Sequence, residues 1–582
     1  MTQPLVFQGV RIFDGVTVHS RATVIVTGDT IRAVGEDIPI PPESDVIDGA
    51  GKTLLPGLID AHTHVYGPAL QQALVFGVTT ELDMFTDHRF AAHMRREEAE
   101  GAGADRADLR SAGTLVTAPG GHGTEYGIPI PTITAPGEAD AFVDARIAEG
   151  SDYIKIIYDD GSPIGMHYPS ITKETMVAVV AAAHRRGKLV VVHILSLAQA
   201  RDAIDAGADG LAHLFVDRLP DPEFGRFLAA HRVFVIPTLT VLEALTGVPS
   251  GATLADDSRL APYLSATDML GLRSAFAVPP MVSPTLTAAE EAVRQCQVAG
   301  VPILAGTDAP NPGTMHGASI HRELELLVRA GLTPVAALAT ATAVPATVFG
   351  LPDRGRVAPG LRADLLLVDG DPTTNIAATR AIVGIWKCGV PVDRESYRGE
   401  IARRQAVAAA QPLPKGAESG WVSDFADGTL ATRFGAGWAV STDQVRGGTS
   451  TAAFSVVPDG VHGRDGSLRV TGVVAPGRGS GWAGAMFVPG VAFGEAANLA
   501  RFREITFWTK GDGQTYRVML LAHSLQIIPV SRSFVADPEW REVSLPFAAF
   551  NGMDGTELLG VVFAAGPALG AFTFDLDDVR FR

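Results

Sequence analysis

Cysteine and lysine are the scarce residues of this 582-residue chain. Its two cysteines, Cys296 and Cys388, make neither a disulfide framework nor a cysteine metal site, which fits a reducing compartment. No apolar run is long enough to span a bilayer. The longest uncharged stretch near the C-terminus, residues 558–574, is broken by Gly560, Gly566, Pro567 and Gly570 and reads as strands and a turn. The opening MTQPLVFQGVRIFDG lacks the basic and apolar regions of a secretory signal, so a cytoplasmic protein is expected. A basic surplus is missing too: the net charge of −17 argues against a nucleic-acid partner, whose phosphates need a basic face. Seven lysines stand against forty arginines, which makes each lysine worth inspecting.

What is present is a globular composition, 46% apolar and 19% charged, over a length that implies two or more domains. Short strand-and-turn segments fill the first fifty residues and return at GRVAPGLRADLLLVDGDP and AIVGIWKCGVPV. This predicts a composite β-sandwich domain from residues 1–56 and 351–400. Between them, eight apolar runs alternate with Ala-rich helical runs: LLPGLIDAHTH, GVTTELDM, LRSAGTLVTAP, YIKIIYD, LVVVHIL, GLAHLF, VFVIPTLTV and PILAGTDAP. Eight βα units over residues 57–350 predict an α/β fold, a (β/α)8 TIM barrel; a doubly wound sheet has the same periodicity. Residues 401–420 read as a helix and linker. From Trp421 the helical period disappears, which predicts an all-β sandwich over 421–582.

The candidate chemistry lies at the ends of the eight runs. His62 and His64 form an H-x-H at the first, and alternate residues of a strand face one side. His193 ends the fifth run, His213 the sixth and Asp308 the eighth. All are metal-ligand types at strand C-termini, where barrel active sites are built. Lys155 lies inside YIKIIYD, a strand buried on both faces, where an unpaired ammonium costs several kcal/mol. Either a carboxylate pairs with it, or CO₂ converts it to a carbamate that bridges two divalent metals. Residues 242–287 are long for a βα connection and are a candidate lid.

With these residues in view, the chain resembles the amidohydrolase superfamily, in its imidazolonepropionase-like and prolidase-like branch. LLPGLIDAHTH, the lysine of YIKI, two histidines twenty residues apart, LAGTDAP, HRELELLVRAGLTPVAALATATA and GLRADLLLVDGDP carry the resemblance over about residues 1–405. It implies two divalent ions, Zn²⁺ foremost with Mn²⁺, Co²⁺ or Fe²⁺ as alternatives. His62, His64, Lys155 and Asp308 would hold one; Lys155, His193 and His213 would hold the other. It also implies a bridging hydroxide as nucleophile, with Asp308 passing its proton to the leaving amine. His122, in APGGHGTEYG, resembles a substrate-contacting loop histidine. Two departures stand out. Relatives often carry H-x-Y where this chain reads His193-Ile194-Leu195, and Tyr158 is the candidate replacement for that substrate contact. Deaminases carry H-x-x-E, but here Ser196 and Val216 occupy those positions.

The last 160 residues, with DFADG, ITFWTKGDGQTYRVMLL and FTFDLDDVRF, resemble the complex I intermediate-associated family, related to galactose-binding jelly rolls. A glycan, a protein partner or a second copy of the chain are the candidate ligands of this domain. Asp424, Asp575 and Asp578 are candidate calcium carboxylates. The expected activity is binuclear hydrolysis of an amide or peptide-like C–N bond in a dipeptide or N-acyl amino acid. A mononuclear cyclic-amide hydrolase and a non-catalytic scaffold are the alternatives.

Overall fold

β-Branched and apolar residues alternate through the N-terminal segment, and Asp- or Gly-bearing turns close its strands. These are β1 (Leu5–Phe13), β2 (Val18–Thr27), β3 (Thr30–Gly35), β4 (Asp45–Asp48) and β5 (Lys52–Pro56). At the first turn the Asp14 carboxylate accepts the backbone N–H groups of Val16 and Thr17 at 2.9 and 2.7 Å. The computed structural model describes residues 3–582 apart from 125–129, 278–280, 447, 464–465, 477–480, 523–529 and 552. Part of the GGHG loop and of the candidate lid therefore lies outside the described residues.

Seven short parallel strands follow: β6 (Leu58–Thr63), β7 (Val78–Asp83), β8 (Asp108–Ser111), β9 (Ile154–Ile157), β10 (Val190–His193), β11 (Gly210–Ala212) and β12 (Phe234–Ile236). Ladders join β6–β7–β8 and β12–β11–β10–β9. Single parallel bridges link Val116 to Ile156, Val235 to Ile303 and Thr63 to Ala309. Alternation sorts the side chains into two cores. Ile154, Ile156, Val190, Val192, Leu211 and Val235 pack with helical residues such as Met176, Ala183 and Ala203. Tyr153, Val191, Ala212, Phe234 and Ile236 meet Ile59 and Leu82 in the other. Gly306 is required by a close approach: a Cβ there would lie 2.5 Å from Ile236 and 2.8 Å from His62.

Three later strands, β13 (Leu365–Asp369), β14 (Ile382–Lys387) and β15 (Val390–Pro391), join β1–β5 in one eight-stranded sheet through the antiparallel β5–β13 pair. A buried ionic network ties this sheet to the parallel strands. Asp108, at the start of β8, takes Lys387 Nζ at 2.9 Å, Arg354 and Arg362. Burial opposes its ionisation, but the three cations outweigh that and hold its carboxyl well below the usual range.

The C-terminal strands are β16 (Trp421–Ser423), β17 (Gly437–Thr442), β18 (Thr451–Val457), β19 (Ser467–Val474), β20 (Ala483–Val488), β21 (Glu504–Gly511), β22 (Thr515–Ala522), β23 (Val530–Val535), β24 (Arg541–Pro546), β25 (Leu558–Ala565) and β26 (Gly570–Phe581). They form two antiparallel sheets, β18–β19–β26–β21–β24 with β16 on β26, and β17–β20–β25–β22–β23. Phe487, Phe507, Phe563, Phe574 and Phe581 fill one core. The helix Arg394–Ala410 precedes them. The chain divides into two compact units, the first holding most of the chain to Arg398, the second Gly399–Arg582 with Ser265–Leu270. Among the described residues no helix is long and apolar enough to cross a membrane. In the candidate lid Leu242, Leu254 and Leu260 are buried, and the Arg394 guanidinium lies 4.0 Å from the centre of the Tyr263 ring.

Candidate metal centre

Three separate chain segments deliver a compact set of donors. His62 is in β6, His213 immediately follows β11, and Asp308 follows the bridge at Ile303. One ligand atom from each lies within 4.8 Å of the other two, and all three residues are buried. The backbone fixes this proximity, because Asp308 N–H donates to the His62 carbonyl at 2.7 Å. The Asp60 carboxylate steadies the same junction, accepting Thr307 N–H at 3.0 Å and the Thr307 hydroxyl at 2.7 Å. Asp308 and His213 both adopt positive φ, +57° and +66°. Such left-handed non-glycine residues are uncommon and concentrate at functional sites.

The remaining donors stand close by. His64 Nε2 is 2.9 Å and His62 Nε2 3.3 Å from Asp308 Oδ1. The His64 Nδ1 is 3.4 Å from the Phe85 carbonyl. The His193 ring lies 4.5 Å from that of His213, centre to centre, and His213 lies 4.7 Å from His62. The His122 ring is 5.1 Å from His193 and 5.3 Å from Tyr168. Lys155 is buried in β9, on the same strand face as Tyr153.

The electrostatics favour neutral nitrogen donors. Burial, reinforced by nearby Lys155 and the other histidines, pulls the His62 pKa well below its ordinary value. Burial and His193 do the same to His213, and burial pulls His193 down to about 4. Burial also pulls Lys155 down to about 7, although Asp308 and Asp83 oppose it. His62 Nδ1 and Nε2, Lys155 Nζ, His193 Nε2 and Asp308 Oδ1 are buried without a hydrogen-bond partner. Each such group costs about 1–3 kcal/mol unless something satisfies it. Neutral imidazole, carboxylate and basic nitrogen are donors that divalent ions take. The donor set fits a divalent cation.

Residues 53–393 match the Amidohydrolase family. The chain belongs to that family. It is a hydrolase acting on carbon–nitrogen bonds. Residues 425–558 match the Complex I intermediate-associated protein 30 family. The imidazolonepropionase of Cereibacter sphaeroides (strain KD131 / KCTC 12085) is 26% identical over 444 residues, 67% of this chain and 96% of that protein. A solved Xaa-Pro dipeptidase with bound methionine in its active site shares 24% identity, with a TM-score of 0.54 over 67% of this chain and 99% of its own. Phenylurea hydrolase B shares 22%, with a TM-score of 0.52 over 68% of this chain and 98% of its own. At these identities the two structures describe the fold.

In this amidohydrolase the sequence-predicted residues His62, His64, His193, His213 and Asp308 gather at one set of strand ends, with Lys155 inside β9 and His122 in the loop after β8. Tyr158 does not join them, and the expectation of a substrate contact there is corrected. It lies three residues beyond Lys155, an odd spacing that turns it to the opposite strand face with Ile154 and Ile156. Its hydroxyl donates to Asp202 Oδ2 at 3.1 Å, and burial with the Asp202 charge pushes its pKa up to about 12. The calcium expectation also loses a member, because both oxygens of Asp575 are taken by Arg469 at 2.8 Å.

Sequence reasoning missed Asp159. Its Oδ2 is 3.5 Å from His193 Nε2, while Oδ1 accepts Gly161 N–H at 3.0 Å and the Gln199 amide at 3.2 Å. Burial raises its pKa, but the hydrogen bonds and His193 outweigh that and lower it, so it stays a carboxylate. Its signal was available: four residues after Lys155 is an even spacing. A second missed pair is Glu81 and His316, both buried, with His316 Nδ1 3.0 Å from Glu81 Oε1. Burial pulls His316 down, yet the Glu81 charge and hydrogen bond leave its pKa raised.

Proposed function

We propose that residues 57–350 form a closed (β/α)8 barrel that carries a binuclear metal-dependent amidohydrolase site. The composite β domain would span 1–56 and 351–400, the linker 401–420 and a jelly-roll sandwich 421–582. The three parallel bridges support closure, since they give each parallel segment a neighbour on both sides. One observation carries the site: nitrogen and carboxylate donors from separate strands converge, buried, and several of their atoms have no hydrogen-bond partner.

His62, His64, Lys155 and Asp308 would hold one divalent ion, and Lys155, His193 and His213 the second, with Zn²⁺ the expected metal. Lys155 would act as its carbamate; burial that lowers its pKa to about 7 supplies the neutral amine that adds CO₂. When bound, such ions lower the pKa of water and polarise a carbonyl. Asp308, through Oδ1, takes the proton of the attacking water and delivers it to the leaving nitrogen. Asp159, 3.5 Å from His193 Nε2, would add a carboxylate beside the second ion. His122, half-buried beside His193, would contact the substrate. The substrate is a small amide, a dipeptide or an N-acyl amino acid. The intact donor set favours an enzyme over a scaffold.

A specific observation keeps a second reading, a mononuclear cyclic-amide hydrolase. The tightest donor group, His62, His213 and Asp308, is enough for one ion without Lys155. Turnover of a panel of dipeptides, N-acyl amino acids and cyclic amides, before and after chelation and on re-addition of Zn²⁺, Mn²⁺ or Co²⁺, separates the readings. Hydrolysis of acyclic amides supports the first, and hydrolysis confined to cyclic amides supports the second.

A further inference from the structure

The run VFVIPTLTV ends on no metal-ligand type, in contrast with its neighbours on either side. Two residues beyond the end of that strand is Thr238. It is fully buried and held at φ +50°, ψ +47°, a costly conformation for a β-branched residue. His213 and Asp308, from the flanking segments, share that left-handed region.

Thr238 Oγ1 lies 2.6 Å from His213 Nδ1 and 2.8 Å from the carbonyl of Pro237. A hydroxyl has one hydrogen, and a carbonyl can only accept. The Thr238 hydrogen goes to Pro237, so its oxygen accepts from the imidazole. The His213 proton is therefore on Nδ1, and the Nε2 lone pair is left free, 3.9 Å from Asp308 Oδ2. Glu323, fully buried in the helix Ala318–Arg329, holds the two residues that follow the strained threonine. Its carboxylate accepts Leu239 N–H at 2.9 Å, Thr240 N–H at 2.8 Å and the Thr240 hydroxyl at 2.8 Å. Those donors follow Thr238 directly. The clamp also costs something, since burial pushes Glu323 up to about 7 despite three hydrogen bonds.

We infer that Thr238 is a positioning residue for His213, setting its tautomer and ring orientation, and that Glu323 is the clamp that keeps Thr238 in its left-handed conformation. The inference rests on the metal reading of the site.

Metal-free full-length protein is titrated with Zn²⁺ against a chromogenic chelator, and the Co²⁺-loaded protein gives a visible spectrum. Thr238→Ser keeps the hydroxyl and is expected to bind as wild type does. Thr238→Val keeps the β-branch but loses the acceptor. It should bind the ion at His213 roughly 10–100-fold more weakly, with an altered Co²⁺ spectrum. Glu323→Gln should weaken the same ion, and adding it to Thr238→Val should weaken it no further. Wild-type affinity in Thr238→Val, or an equal loss in Thr238→Ser, overturns the role of the hydroxyl. If Thr238→Val does not fold, Glu323→Gln carries the test, and wild-type affinity there overturns the clamp. A wild type that binds no divalent ion takes the metal reading down with it.

Discussion

In the C-terminal sheets, buried carboxylates meet protein donors. Asp443 accepts Ser450 N–H at 3.0 Å and the Ser450 hydroxyl at 2.6 Å, Asp575 takes both Arg469 bonds, and Asp577 accepts Val461 N–H at 2.8 Å. Among the described residues of this unit, the buried side-chain atoms without a hydrogen-bond partner, on Trp421, Ser467, Thr506, Arg517, Trp540 and Arg580, belong to indole, hydroxyl and guanidinium groups, with no imidazole or carboxylate. At the ends of the parallel strands the opposite holds. His62, Lys155, His193 and Asp308 come from four segments, converge, and leave nitrogen and oxygen atoms without hydrogen-bond partners. Native folds satisfy buried polar groups, so a convergent failure to do so marks a place where something else is bound. The C-terminal unit uses buried polarity to hold turns and strands; the first unit spends stability to hold donors ready.

That contrast breaks most sharply at Lys155. Lys155→Ala should abolish turnover and remove the shared ligand, and short carboxylic acids should partly restore both, as measured by rate and metal content. Normal turnover in Lys155→Ala would remove the carbamate from the account. Next in size is Asp308→Asn, which should keep the fold and much of the metal while kcat falls by roughly 10²–10⁴. A loss under about tenfold would make Asp308 a ligand only and require another base.

A milder effect is expected at Asp159. Asp159→Asn should weaken metal binding roughly 10–100-fold, because it removes a buried carboxylate's charge beside His193. The smallest catalytic effect belongs to the other unit. Asp443→Ala should cost about 1–3 kcal/mol of unfolding free energy, measured in denaturant, with kcat/KM unchanged. A fall in kcat/KM at Asp443 would mean that the two units are not divided in purpose as described.

The donors at the strand ends were legible in the sequence because strand-end position and side-chain type are local properties. His62, His64, His193, His213 and Asp308 each close an apolar run. Tyr158 was misread although its odd spacing from Lys155 was in plain view, since strand parity outranks proximity in sequence. The third run is kinked rather than continuous: β8 stops at Ser111, Gly113 takes φ +63°, and pairing resumes at Val116. In the eighth run Ile303 makes only an isolated bridge, and Asp308 leaves the extended region altogether. Asp159 could have been found by its even spacing from Lys155, whereas Thr238 and Glu323 act through tertiary contacts. Thr238 meets His213 across 25 residues, and Glu323 meets Leu239 across 84, so no local pattern announces them.

The count of divalent ions per chain, taken by elemental analysis on full-length wild type beside Lys155→Ala, tests the central claim most directly. The account predicts about two ions in the wild type and one or fewer in the variant, with activity tracking the count. A fully active wild type holding no divalent ion would contradict it, and one ion at full activity would leave only the mononuclear reading standing.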